Sequence, residues 1–381
     1  MTFYLRGCNR LKTLLFGNGI NIQFGGTDNL SKSIILRAIK NTKEADFPAH
    51  IIVDAPSLIV SLLGHLFLQV REILNGGYDS YAYTTDLKVC LDDFKWRYSA
   101  KKSLNVATIG FEDYYLLYDL MCYKYKIKNP DKYHIREALK CFFLYSIFNK
   151  DRVNQIYKNY PAKLNDFFNV FDELYTTNYD NNVEVFSGKK VNYLHGAFHI
   201  KADVYNPDSM RNKMSDSPIK DCIVDDRYYY LYSNALTTYS GYSKMFSIKQ
   251  HGDANSAMEK MAKAYQENEM IKDAVNAWEK DANEIVQKMA EGIKLKLSDS
   301  SLEFKETYPI KEFAAISDEL CIIGLSPNND THIFNMINDN GLLKSIIYYF
   351  YDSDEIAVVS QLLNNHRPEF INVTELWSQY R

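Results

Sequence analysis

The chain has no Cys-x-x-Cys pair. Its six cysteines stand apart at positions 8, 90, 122, 141, 222 and 321. That spacing gives no structural zinc module, and free, mostly buried thiols are expected in a reducing compartment. Net charge is also small. With 44 basic and 48 acidic residues the formal charge is −4, which supplies no global pull toward nucleic acid or an anionic membrane. Long apolar runs are missing as well. The stretch Ser57–Val70 is apolar, but it falls short of the ~18 residues of a membrane span and carries His65. The opening residues contain no secretory hydrophobic region, so a cytoplasmic protein is expected. Repeats and low-complexity tracts are absent, and no carboxylate cluster spells a nuclease.

What is present is a chain able to build a core. Of its 381 residues, 46% are hydrophobic, enough for one large domain or two ordinary ones. The 30 Tyr and 21 Phe point to an aromatic-rich interior. A base-stacking surface would interleave such rings with many basic residues, and that occurs here only locally.

The order of elements implies an α/β fold with a Rossmann-like, mostly parallel sheet. Leu11–Phe16 is a short apolar run ending at Gly17, and a helical pattern follows from about Ser31 to Asn41. Strand, glycine turn and helix make the opening unit of such a sheet. His50–Asp54 reads as a second short strand. From Pro56 to Pro161, apolar residues recur at three- and four-residue spacing through Ser57–Leu74, Phe111–Tyr125, His134–Phe148 and Val153–Asn159. This is too long for a βα connection and implies a large helical insertion. The expected organisation is a sheet domain over 1–55 and 162–365, a helical insertion over 56–161 and a C-terminal tail over 366–381.

Further strand signals fall at Phe167–Tyr175, Glu184–Phe186, Val191–Leu194, Glu319–Ile323 and Ser345–Tyr351. Residues 203–230 are polar, and a loop is expected there that would serve as a lid. Ala254–Leu297 is a charged helical pattern with Met258, Met261, Tyr265, Ile271, Val275, Trp278, Ile285 and Met289 near helical period. It reads as one amphipathic helix or a helical hairpin, packed on its own domain or forming a subunit interface. Asp330 is placed to cap a helix from Thr331 to Asp339, and a last helix is expected over Glu355–Asn365.

Four short motifs stand where strands run into loops. Gly17-Asn18-Gly19 permits close backbone approach to a pyrophosphate, or is an ordinary tight turn. Gly25-Gly26 allows a second close approach. Asn178 and Asp180 lie two apart in Thr176-Thr177-Asn178-Tyr179-Asp180, at the strand edge where open α/β sheets bind ligands. They would hold a water and sugar hydroxyls, or close the strand with an Asx turn. His195, in Leu194-His195-Gly196, would accept a proton or make a loop hydrogen bond, with His199 as its local competitor. Gly324-Leu325-Ser326 offers bare backbone and a hydroxyl. Asp172 and Glu173 precede the strand end and read as solvated.

This ordered quartet resembles the sirtuin superfamily, with a glycine turn after the first strand, an Asn-x-Asp motif, a His-Gly and a late Gly-x-Ser. Thr176 stands where sirtuins carry Gln. Sirtuins that deacylate proteins also carry a four-cysteine zinc module between the His-Gly and the late motif, and here that interval holds two cysteines far apart, Cys222 and Cys321. The Thr-Thr-Asn-Tyr-Asp spelling and the helical insertion resemble the sirtuin-like NADases of bacterial anti-phage defence, such as those of Thoeris systems and those partnered with HerA-like ATPases.

The resemblance implies an enzyme that takes NAD as substrate and yields nicotinamide and ADP-ribose, depleting NAD in infected cells. It implies that Asn178 orients water and ribose, and that His195 acts as base or holds ribose hydroxyls. Asp180 would contact the nicotinamide side. Gly17, Asn18, Gly19, Gly324 and Ser326 would hold the ADP part, and Asp352 the adenosine ribose. Asp330 and His332 would be secondary contacts. No metal is expected, because a cationic pyridinium departs as a neutral ring. A homo-oligomer working with a HerA-like ATPase, with nucleic acid reached only through that partner, is the implied assembly. An NAD-dependent deacylase or ADP-ribosyltransferase, or a non-catalytic subunit sensing NAD or ADP-ribose, would use the same pocket.

Overall fold

The structure is a computed structural model that describes residues 10–128, 131–200, 225–236, 241–282, 284–300 and 308–380. It contains a six-stranded, all-parallel sheet. The strands are β1 (Lys12–Phe16), β2 (Glu173–Thr176), β3 (Val191–Tyr193), β4 (Asp318–Ile323), β5 (Leu343–Phe350) and β6 (Glu369–Asn372). They lie in the order β3-β2-β1-β4-β5-β6. This is the doubly wound Rossmann-like order, which reverses direction between β1 and β4.

The central strands read as they do because both sheet faces are covered. In β1, Thr13, Leu14, Leu15 and Phe16 are all buried, and β4 ends in four buried residues. A parallel sheet clothed on both faces needs such continuous apolar runs. One core cluster joins Leu15, Tyr175, Leu320, Ile322 and Tyr348 to Ile333, Phe334 and Ile337 of the helix Thr331–Asn338.

The chain divides into two compact units. The sheet unit comprises Met1–Ile34, Ile147–His199 and Tyr308–Arg381. The second comprises Ile35–Ser146 and Ile200–Thr307 and is helical throughout its described elements. This division differs from the expected one at several places. Residues 254–297 fall in the helical unit rather than with the sheet. Residues 147–161 fall with the sheet, because the Asn159 amide donates to Phe24 O and the Tyr157 amide N–H donates to Asn182 Oδ1. The expected tail over 366–381 supplies the edge strand β6 and the helix Val373–Gln379, which buries Leu376 and Trp377.

Three local readings also change. His50–Asp54 is not a strand; Ala49–Ile52 is a helical turn. Glu184–Phe186 lies inside the helix Asn182–Ser187. Phe167–Tyr175 is split into the helix Leu164–Asn169 and the start of β2. Each run is short and apolar, a length at which periodicity does not separate strand from helix.

In the helical unit, the apolar stretch near Ser57 extends further than its composition marked. The helix Pro56–Leu74 has 19 residues and a window of mean hydropathy 1.5. It is long and apolar enough to cross a membrane by length and composition, yet Ile59, Leu63, Leu66, Val70 and Ile73 form one buried stripe at helical spacing. The charged stretch forms three helices, Gly241–Glu267, Glu269–Trp278 and Glu284–Ser298. Val275, Ala290 and Ile293 make a small core of their own, against which Met258, Met261, Tyr265, Ile271 and Trp278 pack. Asn268 breaks the first helix and caps the second, accepting from the Met270 and Ile271 amides. Met289 lies outside that core and is exposed. Ile285 lies outside the described side chains, as does most of the expected lid over 203–230.

Candidate functional site

Sheet register brings the four motifs to one edge. Phe16 pairs with Thr176 on one side and with Ile323 on the other, and Thr176 pairs with Tyr193. Gly17, Thr177, Leu194 and Gly324 are therefore the next residues out on four adjacent strands. Asn178 and His195 each lie two residues beyond a paired position. This is the carboxyl edge, and the β1–β4 reversal is where ligands lodge in sheets of this order.

The glycines at the reversal serve the protein itself. The Gly17 amide donates to Ile323 O, and the Gly19 amide to Gly324 O, both at 2.9 Å. A Cβ on Gly17 would lie 2.6 Å from Gly324 O. Gly324 has φ +67°, a left-handed conformation that costs a side chain dearly. The same bare backbone that would face a ligand also presses two loops together. A helix begins at once, at Gly19–Gly25, ahead of the expected one at Ser31. The Asn18 side chain turns back and donates to Asn29 O at 2.7 Å.

Thr176 explains its own place in the motif. Its hydroxyl donates to Phe16 O at 2.9 Å and accepts the Asn178 amide at 3.0 Å. That turn aims the Asn178 side chain back over β1, where its Nδ2 donates to Gly17 O at 3.3 Å. Asn178 is buried. Among the described residues, no donor reaches its Oδ1, which leaves that acceptor open.

Asp180 is held differently. Its Oδ2 accepts from Asn21 Nδ2 at 2.6 Å, and its Oδ1 from Asn182 Nδ2 at 2.6 Å and the Asn182 amide at 3.1 Å. Asn182 in turn donates to Val153 O. Burial raises the Asp180 carboxyl above its ordinary value, outweighing these donors, which act to lower it. Both oxygens are engaged inside the protein, so the residue ties the helix Gly19–Gly25 to the loop after β2. Asn21 and Asn182 were not singled out from sequence; no motif marks them, and only the fold brings them to Asp180.

His195 lies in the turn after β3 and is buried. Its Nε2 is 3.1 Å from Nε2 of His332, and the rings stack at 5.2 Å with 16° between their planes. One ring donates and the other accepts. His332 sits at the start of the helix Thr331–Asn338 and is also buried. Asp330 stands beside it, accepting the Ser326 amide at 3.3 Å, while its own amide donates to Ser326 O. Its carboxylate makes no cap bond to the helix that follows. His195, Asp330 and His332 place one ligand atom each within 4.8 Å of one another. His199 takes no part: it is partly exposed, 3.8 Å from Glu184 and edge-on to Tyr193.

Asp352 lies past the end of β5 and is exposed. Its Oδ1 accepts the Asp354 amide and opens the helix Asp354–Leu362. It follows the second-last strand rather than the last, since β6 closes the sheet. Gly25 is filled in differently again: a Cβ there would strike Ile156 at 2.7 Å, so that glycine serves packing.

No family model, curated protein or solved structure matches the chain.

Proposed function

We propose that the chain is a sirtuin-like NAD glycohydrolase. The observation that carries this reading is the register: it sets Asn178 and His195 on neighbouring strand tips, beside the sheet reversal where Rossmann-like sheets take dinucleotides. The resemblance of the four motifs to sirtuins names the substrate.

Cleaving the bond between nicotinamide and ribose builds positive charge on the anomeric carbon. Nicotinamide leaves as a neutral ring, so no acid is needed to protonate it. What remains is to hold water and sugar. In this reading Asn178 Oδ1 orients the attacking water, while its Nδ2 is braced on Gly17 O. His195 accepts the proton that the water loses, and His332 supports the resulting imidazolium through the shared Nε2 contact. Asp180 positions the loop rather than touching the ring. Gly324 and Ser326 border the ADP part, and Asp352 has the exposure required to meet a ribose.

The biological role proposed with it is depletion of NAD during phage infection, in the cytoplasm, by an oligomer partnered with a HerA-like ATPase. The test is incubation with NAD and chromatographic measurement of nicotinamide and ADP-ribose. Release in the wild type and its loss in Asn178→Ala and His195→Ala are expected. Equal turnover in both variants places the chemistry elsewhere, and transfer to a lysine-modified peptide or a protein acceptor favours a deacylase or transferase.

A further inference from the structure

We infer that His195, His332 and Asp330 form a binding site for a divalent late transition ion of the zinc class, and that its occupancy shuts off the reaction proposed above. The regulatory half rests on that proposed reaction; the binding half does not.

The argument begins with the 3.1 Å separation of the two Nε2 atoms. Imidazole nitrogens bind zinc at about 2.0–2.1 Å. Two of them on one ion, at ligand–metal–ligand angles between a right angle and tetrahedral, stand about 2.9–3.4 Å apart. The observed spacing falls inside that range with both nitrogens facing each other. An ion therefore fits without parting the two nitrogens, once each ring turns its lone pair off the line between them and toward one shared point. The ring that donates in the histidine pair shifts its proton to Nδ1, and both nitrogens then offer lone pairs with no net change in charge.

Asp330 supplies what a buried dication requires besides neutral imidazoles, a negative charge. Its ligand atom lies within 4.8 Å of the other two. Direct ligands of one ion stand at most about 4.2 Å apart, twice a ligand bond, so the carboxylate closes the remaining gap by a side-chain rotation. It is the half-buried member of the three, and the bond it accepts from the Ser326 amide is long, 3.3 Å. Two histidines and one carboxylate leave a fourth position for water, the open arrangement of three-ligand zinc sites. Imidazole ligands favour zinc, copper, nickel or iron over magnesium and calcium. An ion held here takes the Nε2 of His195 and leaves that ring's proton on Nδ1, so neither nitrogen can accept a proton from water.

The test uses the full chain, stripped with a chelator and titrated with Zn²⁺ against a chromophoric competitor. One ion per chain is expected, and Co²⁺ should give the visible bands of a four-coordinate site. Asp330→Asn retains the loop's hydrogen-bonding capacity while removing the charge, and His332→Gln is checked for folding by circular dichroism. Each should weaken Zn²⁺ binding by about 10- to 100-fold or more, while His65→Ala, an exposed histidine of the helical unit, should not. Sub-stoichiometric binding, or equal binding in Asp330→Asn and His332→Gln, overturns the site. Separately, Zn²⁺ should abolish nicotinamide release by the wild type and much less so by Asp330→Asn. Stoichiometric binding with no NAD turnover at all would leave the site standing and sink the hydrolase; turnover untouched by bound zinc would sink the regulation alone.

Discussion

Gly19 and Gly324 are locked backbone to backbone: the Gly19 amide donates to Gly324 O at 2.9 Å, and a Cβ on Gly19 would lie 2.4 Å from Gly324 Cα. A contact that short has no flexible side chain to yield, so the two strand tips must part. Gly19→Ala is expected to destabilise the sheet unit by about 1–3 kcal/mol or more. Gly324→Ala adds the strain of its positive φ to a Cβ 2.8 Å from Gly19 Cα. Gly341→Ala, with open space around it, should stay within about 0.5 kcal/mol of wild type. Denaturant midpoints check all three, and equal midpoints would show that the tips tolerate separation.

Asp180 makes a pH prediction. Its folded-state carboxyl is raised above the ordinary 3.8, chiefly by loss of solvation. A raised value means that its contribution to stability is full below the unfolded value and is lost as pH rises through the folded one. Asp180→Asn cannot titrate, and it sets an amide donor against those of Asn21 and Asn182, costing about 1–3 kcal/mol. The stability gap between wild type and variant should therefore be widest in acid and narrow toward neutrality. Urea midpoints across that range decide it; a gap that grows with pH would mean that the three donors hold Asp180 ionised.

The fold was legible in the sequence where strands were continuous apolar runs ending at glycine or a polar turn, as at Leu11–Phe16 and Glu319–Ile323. It was illegible where a short run carried no period: Glu184–Phe186 became a helix because Asn182 folds back on Asp180, a contact that no local pattern announces. The site was legible as an order of motifs, since strand tips in a parallel sheet converge on one edge. The partner of His195 was not. His332 lies 137 residues away, the resemblance implies for it only a secondary contact, and only the packing of the helix Thr331–Asn338 over β4 and β5 brings it in. Spacing in sequence carries no signal for such a pair.

Cys122 and Cys321 should resist alkylation in the native chain. Burial pushes the first thiol up to about 11 and the second up to about 12. At mildly alkaline pH the reactive thiolate is then roughly a thousandth of the population or less. Mass spectrometry after brief iodoacetamide treatment should find both unmodified, and both labelled once guanidinium unfolds the chain. Prompt native labelling of either would mean that its surroundings open far more readily than the packing implies.

In the helical unit, Asp113 anchors a buried network. It accepts Arg97 Nη1 and Nη2 at 2.7 Å each and the Tyr98 hydroxyl at 2.7 Å. The same hydroxyl accepts the Gly110 amide, joining the helix Thr85–Tyr98 to the start of Asp113–Tyr125. Asp113→Ala leaves the buried guanidinium with Asp93 alone, which accepts from its Nε at 2.8 Å, and removes both bonds from its Nη atoms; losses from breaking buried pairs run up to about 3–5 kcal/mol. Its thermal midpoint should fall well below that of Lys12→Ala, which removes only the half-exposed pair with Glu319. Similar midpoints would show that Arg97 finds water or another acceptor.

The sharpest kinetic prediction separates the two ends of the Asn178 side chain. Its Nδ2 braces against Gly17 O, and its Oδ1 is the acceptor proposed to hold water. Asn178→Asp keeps an oxygen at the working position but loses the donor and places a carboxylate against a carbonyl. Asn178→Ala removes both. If the oxygen does the chemistry, kcat for nicotinamide release should fall by about 10²–10⁴-fold in the alanine variant, with a smaller fall in the aspartate variant. His195→Ala should fall within the same range, while His199→Ala, which faces Glu184, should retain wild-type turnover. Because ground-state binding of NAD rests on other groups in this reading, KM should move little in either Asn178 variant. A rise in KM with kcat unchanged would reassign Asn178 to substrate binding and remove it from the water's path.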